Sequence, residues 1–235
     1  MVWRWTPTGR GAETMCGRIA VTLPNDAMAQ MFAALPANNL PKVPNFNVCP
    51  TTAVHVISTQ NDQRHLSAMR WGFLPQWYAS LSGGPLLINA RAETIAQKPA
   101  FRDACRMRRC LVPVAGYYEW TKDAEGKRLP WYIQAQDGAT LALAGVWQDW
   151  GPEHERIRSA AIVTTAANAS LASVHHRMPV IIAQKDWGLW LGEEGKGAAT
   201  LMQAAPEDAL QFHRVATTVN SNRATGEELV TPLAL

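Results

Sequence analysis

Four residues in this chain have types and settings that could do chemistry: Cys16, Asn89, Glu119 and His175. Cys16 stands in Met15-Cys16-Gly17-Arg18. A methionine ahead of a small cysteine and a glycine suits removal of an initiator methionine. The product would be a cysteine with a free α-amine beside its thiol. That amine, with an ordinary pKa of about 7.7–8.0, is substantially deprotonated near neutral pH. It can condense with an aldehyde to an imine, after which the thiolate closes a five-membered thiazolidine ring. The chemistry requires Cys16 to be the first residue, whereas fourteen residues and a methionine precede it here. A second reading makes Cys16 a small apolar residue at the start of a strand, because free cysteine is usually structural.

Asn89 lies in Leu86-Leu87-Ile88-Asn89-Ala90-Arg91-Ala92-Glu93. A strand that is apolar on both faces is buried, so Asn89 and Arg91 need specific partners. The amide either ties down a neighbouring loop or works on a ligand. Glu119 lies in Gly116-Tyr117-Tyr118-Glu119-Trp120. Aromatic surroundings disfavour a charged carboxylate and lift its pKa toward the range useful for proton transfer. The alternative is a glutamate facing water on an edge strand. Glu93 follows its strand and is expected to cap it or pair with a base. His175-His176-Arg177-Met178-Pro179 joins a short helix to a strand, and a histidine there could act as acid or base near neutral pH or simply lie at the surface. Neighbouring histidines diverge on any regular element and no third ligand stands at ligand spacing, so no metal is expected. No glycine-rich phosphate loop, Gly-x-Ser-x-Gly elbow or His-Glu-x-x-His pair occurs, and no cofactor is expected.

With 235 residues and 47% hydrophobic content, the chain can bury a substantial core as one domain. A net charge of +3 does not by itself imply nucleic acid. Lys98, Arg102, Arg106, Arg108 and Arg109 cluster against Asp103 alone, a pattern that reads as a solvated helix face more than a phosphate track. The four cysteines lack paired CxxC spacing and, without a secretory signal, read as reduced cytosolic thiols. No apolar run reaches membrane-spanning length. Residues 1–14 (MVWRWTPTGRGAET) are expected to be unfolded, as an over-extended start or a leader to be removed, with the folded domain spanning 15–235.

Hydrophobic periodicity predicts the elements that must position these groups. Strands are expected at 18–23, 54–58, 66–71, 86–90, 111–114, 117–121, 131–135, 141–147, 157–165 and 212–219. Met28, Met31, Phe32 and Leu35 recur at helical spacing and predict a helix stopped by Pro36, and further helices are expected near 100–108, 184–191 and 198–204. Asn168 is placed to cap another, short one. Residues 71–78 (WGFLPQWY) read as an irregular loop. Many short strands with scattered helices predict an α+β single domain, with a mostly antiparallel, barrel-like β-sheet and surrounding short helices.

Taken in order, the segments resemble the SRAP family (SOS response-associated peptidase), also called abasic-site processing proteins. The resemblance rests on Met15-Cys16-Gly17-Arg18, Phe46-Asn47-Val48-Cys49-Pro50 and Trp71-Gly72-Phe73 with Trp77. It continues through Asn89-Ala90-Arg91-Ala92-Glu93-Thr94, Gly116-Tyr117-Tyr118-Glu119-Trp120 and His175-His176-Arg177-Met178-Pro179. It implies a covalent sensor of abasic sites in single-stranded DNA, which captures the ring-opened sugar as a thiazolidine and removes its own residues ahead of the cysteine. Carried over, Cys16 is the nucleophile, Asn89 positions its amine or the opened sugar, Glu119 assists imine formation, and His175 opens the sugar ring. Arg18, Arg91 and Arg177 would hold phosphates, Asn47 would lie on the DNA-binding surface, and Trp71 or nearby apolar residues would pack against bases. The implied partner is single-stranded DNA containing abasic sites. The implied protein is a cytoplasmic monomer, at the nucleoid when bound to DNA. This sequence departs from the pattern in its residues 1–14 and at His176 and Met178. Two other functions share parts of the pattern: an N-terminal-nucleophile hydrolase acting on peptides or amides, and a non-covalent single-stranded DNA-binding module.

Overall fold

The computed structural model describes residues 17–233, so Cys16 and residues 1–14 lie outside the described residues. In chain order the elements open with β1 (Ile19–Val21), α1 (Asn25–Met31), β2 (Leu35–Pro36), β3 (Asn45–Val48), β4 (Ala53–Gln60), β5 (Gln63–Trp71) and β6 (Asn89–Arg91). There follow α2 (Arg102–Met107), β7 (Arg109–Val114), β8 (Gly116–Lys122), β9 (Arg128–Ala135) and β10 (Leu141–Trp150). The last are β11 (Ile157–Ala166), β12 (Arg177–Pro179), α3 (Trp187–Leu191) and β13 (Leu210–Arg214). They form a single α+β domain of two mostly antiparallel sheets.

The smaller sheet has the order β13-β9-β8-β1-β3, and the larger β12-β11-β10-β7-β4-β5-β2, with β6 alongside β11. The expected barrel character survives as curvature. The larger sheet curls until β11 meets β5 in a short parallel pairing at Ser159↔Arg70 and Ala160↔Trp71. The domain is two sheets, not one closed barrel.

Local chemistry explains the connections. Asn61 and Asp62 join β4 to β5 with φ of 50° and 60°, the left-handed pair that a two-residue hairpin turn demands and that Asn and Asp tolerate. β10 reads as a near-continuous apolar run because it lies inside the sheet, between β7 and β11. The Phe32 and Trp187 rings stack at 4.1 Å, bringing the C-terminal end of α1 against α3. The indole N–H of the fully buried Trp190 donates to the Cys110 carbonyl at 2.8 Å, so the ring carries its polar atom into the core satisfied.

Three expected elements come out differently. The helix expected at 198–204 is a 3-10 turn over Ala198–Leu201. Asn168 does cap, its side-chain oxygen accepting the Leu171 N–H at 3.0 Å, but it caps turns, not a helix. The last strand ends at Arg214, and Thr217–Asn220 forms a 3-10 turn that folds back over β9. Short apolar stretches carry too little periodicity to separate one helical turn from a strand end.

Gly116 opens β8 where the strand passes β1 and β9. A Cβ there would lie 2.5 Å from both the Ile133 carbonyl oxygen and the Tyr132 ring. Backbone on one side and a packed aromatic on the other leave little room to yield. Gly116→Ala is therefore expected to cost about 1–3 kcal/mol through overpacking, read as a lower urea midpoint with unchanged m-value.

Candidate functional site

β1 is the element on which the site converges. It pairs on one side with β3, at Ile19↔Val48, and on the other with β8, at Ile19↔Tyr117. The Tyr118 N–H donates to the Arg18 carbonyl at 3.0 Å, so the backbone just ahead of β1 lies against the residue preceding Glu119. A Cβ on Gly17 would sit 3.7 Å from Ile88, the residue preceding Asn89. The residue that follows Cys16 therefore packs beside the Asn89 segment, and the next one beside the Glu119 segment.

Glu119 is 3% exposed. It faces the interior and not water, because β8 is an inner strand between β1 and β9. Asn89 is half-buried at the start of β6, which runs parallel to β11 with Asn89 opposite Ile162. His175 is half-buried in the loop before β12. Its Nδ1 lies 3.1 Å from the Arg177 backbone N–H and 3.3 Å from the Arg177 carbonyl oxygen, so it accepts from the first in one tautomer and donates to the second in the other. The His176 ring stacks on it at 4.4 Å, so the second histidine supports the first as a packing surface.

An ion pair ties these segments together. The Arg177 guanidinium donates to Glu93 in a bidentate pair at 2.7 and 2.9 Å, and to the Thr164 carbonyl of β11 at 2.7 Å. Glu93 thus pairs with a base, as its position after the strand suggested. The pair spans β11 and joins the stretch after Asn89 to the stretch after His175.

The other arginines and Asn47 divide the labour. Arg18 donates through Nη1 to the Asn47 side-chain oxygen and to the Val219 carbonyl at 2.9 Å. Asn47 in turn donates to the carbonyls of Ser221 and Ala224 at 3.1 and 2.6 Å. Its amide is fully committed to protein, so Asn47 acts by holding Arg18 against residues 219–224 and has no donor left for DNA. The Nε of Arg18 is buried and lacks a hydrogen-bond partner among the described residues. Arg91 is exposed. Trp71 is 1% exposed and its indole N–H donates to the Ile88 carbonyl at 3.1 Å. Its ring is core, with no face open to a base, because the paired strands β4, β5 and β11 enclose it. Trp77, in the same loop, is 61% exposed.

Arg128 was not singled out by sequence reasoning. Its guanidinium lies 4.4 Å from the centre of the Trp120 ring, with Arg18 at 5.9 Å. Burial and the nearby Arg18 charge push the Arg128 pKa down, and Glu119 partly offsets them. The signal was present but indirect, since Arg128 stands at the far side of the hairpin that Glu119 and Trp120 open. Burial raises the Cys49 thiol, with the Arg18 charge opposing. Cys49, Cys105 and Cys110 are free, and no cluster of metal-ligating side chains occurs among the described residues. No helix among them is long and apolar enough to cross a membrane.

The family model for SOS response associated peptidase (SRAP) matches residues 15–222. The chain belongs to the SRAP family. It is 30% identical to the abasic site processing protein YoqW of Bacillus subtilis (strain 168), over 92% of this chain and 99% of that one. It is 28% identical to YedK of Escherichia coli (strain K12), also named an abasic site processing protein, over 93% and 100% of the two chains. Among solved structures, a Bacteroides thetaiotaomicron protein superposes with a TM-score of 0.80 at 22% identity, covering 93% of this chain and 100% of that one. A Bordetella bronchiseptica protein gives 0.73 at 26% identity, covering 86% and 100%.

The Glu93–Arg177 pair makes a pH-dependent prediction. Hydrogen bonds from Arg177 hold the Glu93 carboxyl below the ordinary carboxylate range. A lowered folded-state pKa gives stability that is complete above the unfolded value of about 4.3 and is lost as pH falls through the folded value. Because Glu93 is 47% exposed, Glu93→Gln is expected to cost no more than about 1 kcal/mol at neutral pH. The gap should close in strong acid, as read by urea midpoints measured at both conditions.

Proposed function

We propose that this chain captures abasic sites in single-stranded DNA covalently, through Cys16, once the residues ahead of it have been removed. The observation that carries the reading is the convergence at β1: the residues following Cys16 pack beside the Asn89 and Glu119 segments. Membership of a family whose relatives are named abasic site processing proteins supports the same substrate.

The chemistry then follows from the residue types. The Cys16 amine attacks the C1′ aldehyde of the opened sugar, water leaves, and an imine forms. The thiolate adds to the imine carbon and closes the thiazolidine. Buried Glu119 takes the proton from the attacking amine and returns one to the departing water. His175 Nε2 serves the ring oxygen as the sugar opens. Asn89 orients the amine or the opened sugar. The guanidinium forks of Arg18 and exposed Arg91 hold phosphates. Arg177 acts chiefly through its ion pair with Glu93. Exposed Trp77, in place of Trp71, offers the base-packing ring, and Trp120 with Arg128 extends the surface beside Glu119. A duplex partner would crowd the segments around β1, so the substrate is single-stranded, and a missing base removes the cost of extruding one. A monomer acting in the cytoplasm on DNA satisfies this reading. The residues ahead of Cys16 form a leader, removed by the chain's own peptidase activity.

One denaturing gel tests it, with full-length protein and a version starting at Met15, each mixed with single-stranded DNA carrying one abasic site. A shifted band from the shorter protein is expected, with full-length protein shifting only to the extent that its leader is cleaved. Cys16→Ala should abolish the band, and Glu119→Gln should slow its formation by about 10²–10⁴-fold. If neither protein shifts, covalent capture is wrong, and reversible DNA binding or amide hydrolysis takes its place.

A further inference from the structure

The basic run at 98–109 divides in the fold. Arg102 pairs with Asp103 at 3.1 Å, and Arg108 donates to the Trp147 carbonyl at 3.3 Å. Arg106 and Arg109 turn the other way, at the C-terminal end of α2, and meet Lys196 around a cavity of about 350 Å³. Ala199 and Met202 supply its apolar wall and Cys105 lies at its side. None of the lining residues belongs to the site built around β1.

The charges here lack counter-charges. Arg109 is half-buried and locked in place: Nη1 donates to the carbonyls of Cys105 and Arg106 at 3.0 and 2.9 Å, and Nε to that of Trp190. Burial lowers its pKa, and no carboxylate offsets that. Among the described residues no Asp or Glu forms an ion pair with Arg106, Arg109 or Lys196. Sequestered charge is ordinarily paired, because carbonyl oxygens solvate a cation without neutralising it. A rigid guanidinium with two further cations around a small, partly apolar cavity is an arrangement that an anion completes.

We propose that this cavity binds a small phosphate monoester. Three cations match a phosphate dianion better than a single carboxylate; the fork of exposed Arg106 suits its oxygens, and Arg109, whose Nε and Nη1 are held by carbonyls, offers Nη2. The volume lies at the small end of the roughly 300–1,000 Å³ usual for ligand pockets, enough for a sugar phosphate but not for a length of strand. The Ala199 and Met202 wall receives the less polar body of the ligand.

Cys105 provides the reporter. Alkylation of the full chain by neutral iodoacetamide, at mildly alkaline pH because burial raises this thiol, is followed peptide by peptide by mass spectrometry. Ribose 5-phosphate is expected to slow Cys105 labelling about tenfold at about ten times its Kd, as the free site empties. Cys49, outside the cavity, should label at an unchanged rate. Inorganic phosphate run in parallel separates two sources of affinity: protection by both ligands assigns it to the phosphate group, and protection by the sugar phosphate alone shows that the body contributes as well. In Arg106→Gln/Lys196→Gln, both at exposed positions, protection should vanish while Cys49 labelling and thermal midpoint stay put. Failure of ribose 5-phosphate to protect, equal protection by chloride at matched ionic strength, or protection that persists in the double variant would each overturn the proposal. Because the assay involves no DNA and no Cys16 chemistry, its failure leaves the abasic-site reading standing, and the reverse also holds.

Discussion

A chain terminus is ordinarily the least ordered part of a domain. A nucleophile that must also be a terminus therefore depends on what holds the next few residues. Here that constraint is the placement of β1 inside the five-stranded sheet, hydrogen-bonded to β3 on one side and to β8 on the other. A strand paired on both edges cannot drift, and it holds Gly17 and Arg18 at the start of the described residues. The other parts of the candidate site are arranged around this fixed start. Gly17 packs on Ile88, and the Arg18 backbone accepts from Tyr118. Glu119 is buried on β8, one residue from that hydrogen bond, so the carboxyl proposed for proton transfer lies in low dielectric.

The polar network around Arg18 shows how a cation can be oriented without being neutralised. Asn47 accepts from Arg18 with its oxygen and spends both amide hydrogens on carbonyls of the C-terminal segment. An aspartate in its place would pair the charge and reduce what remained for DNA. The Glu93–Arg177 pair follows the opposite logic. Its bidentate geometry neutralises the arginine and makes it a strut between the segments carrying Asn89 and His175. Two arginines given the same role by resemblance are thus separated by their partners, one kept available and one consumed.

Much of this was legible in the sequence where a residue's neighbours in the chain determine its environment. The burial implied for Glu119 by its aromatic flanks and the pairing of Glu93 with a base are of that kind. Trp71 and Asn47 were not legible, because their settings come from segments distant in sequence, and Arg128 carried only an indirect signal. Trp71 is enclosed by strands it meets only in the folded sheet, Asn47 is tied to residues more than a hundred and seventy positions away, and Arg128 reaches Trp120 across a hairpin. A pattern of residue types identifies a polar group that needs a partner; only the fold decides which partner it finds.

The charge distribution bears on how damage could be told from intact DNA. A net charge of +3 gives the chain little long-range attraction for a polyanion, and affinity built from many phosphate contacts would in any case bind undamaged strands as well. Few, well-placed cations beside a nucleophile reverse that balance. Under the proposed covalent capture, contact with intact DNA would stay brief because nothing reacts, while an exposed aldehyde would convert the same brief contact into a bond. Selectivity then resides in the presence of an electrophile and not in differential affinity. That is why the geometry around β1 outweighs any surplus of positive surface.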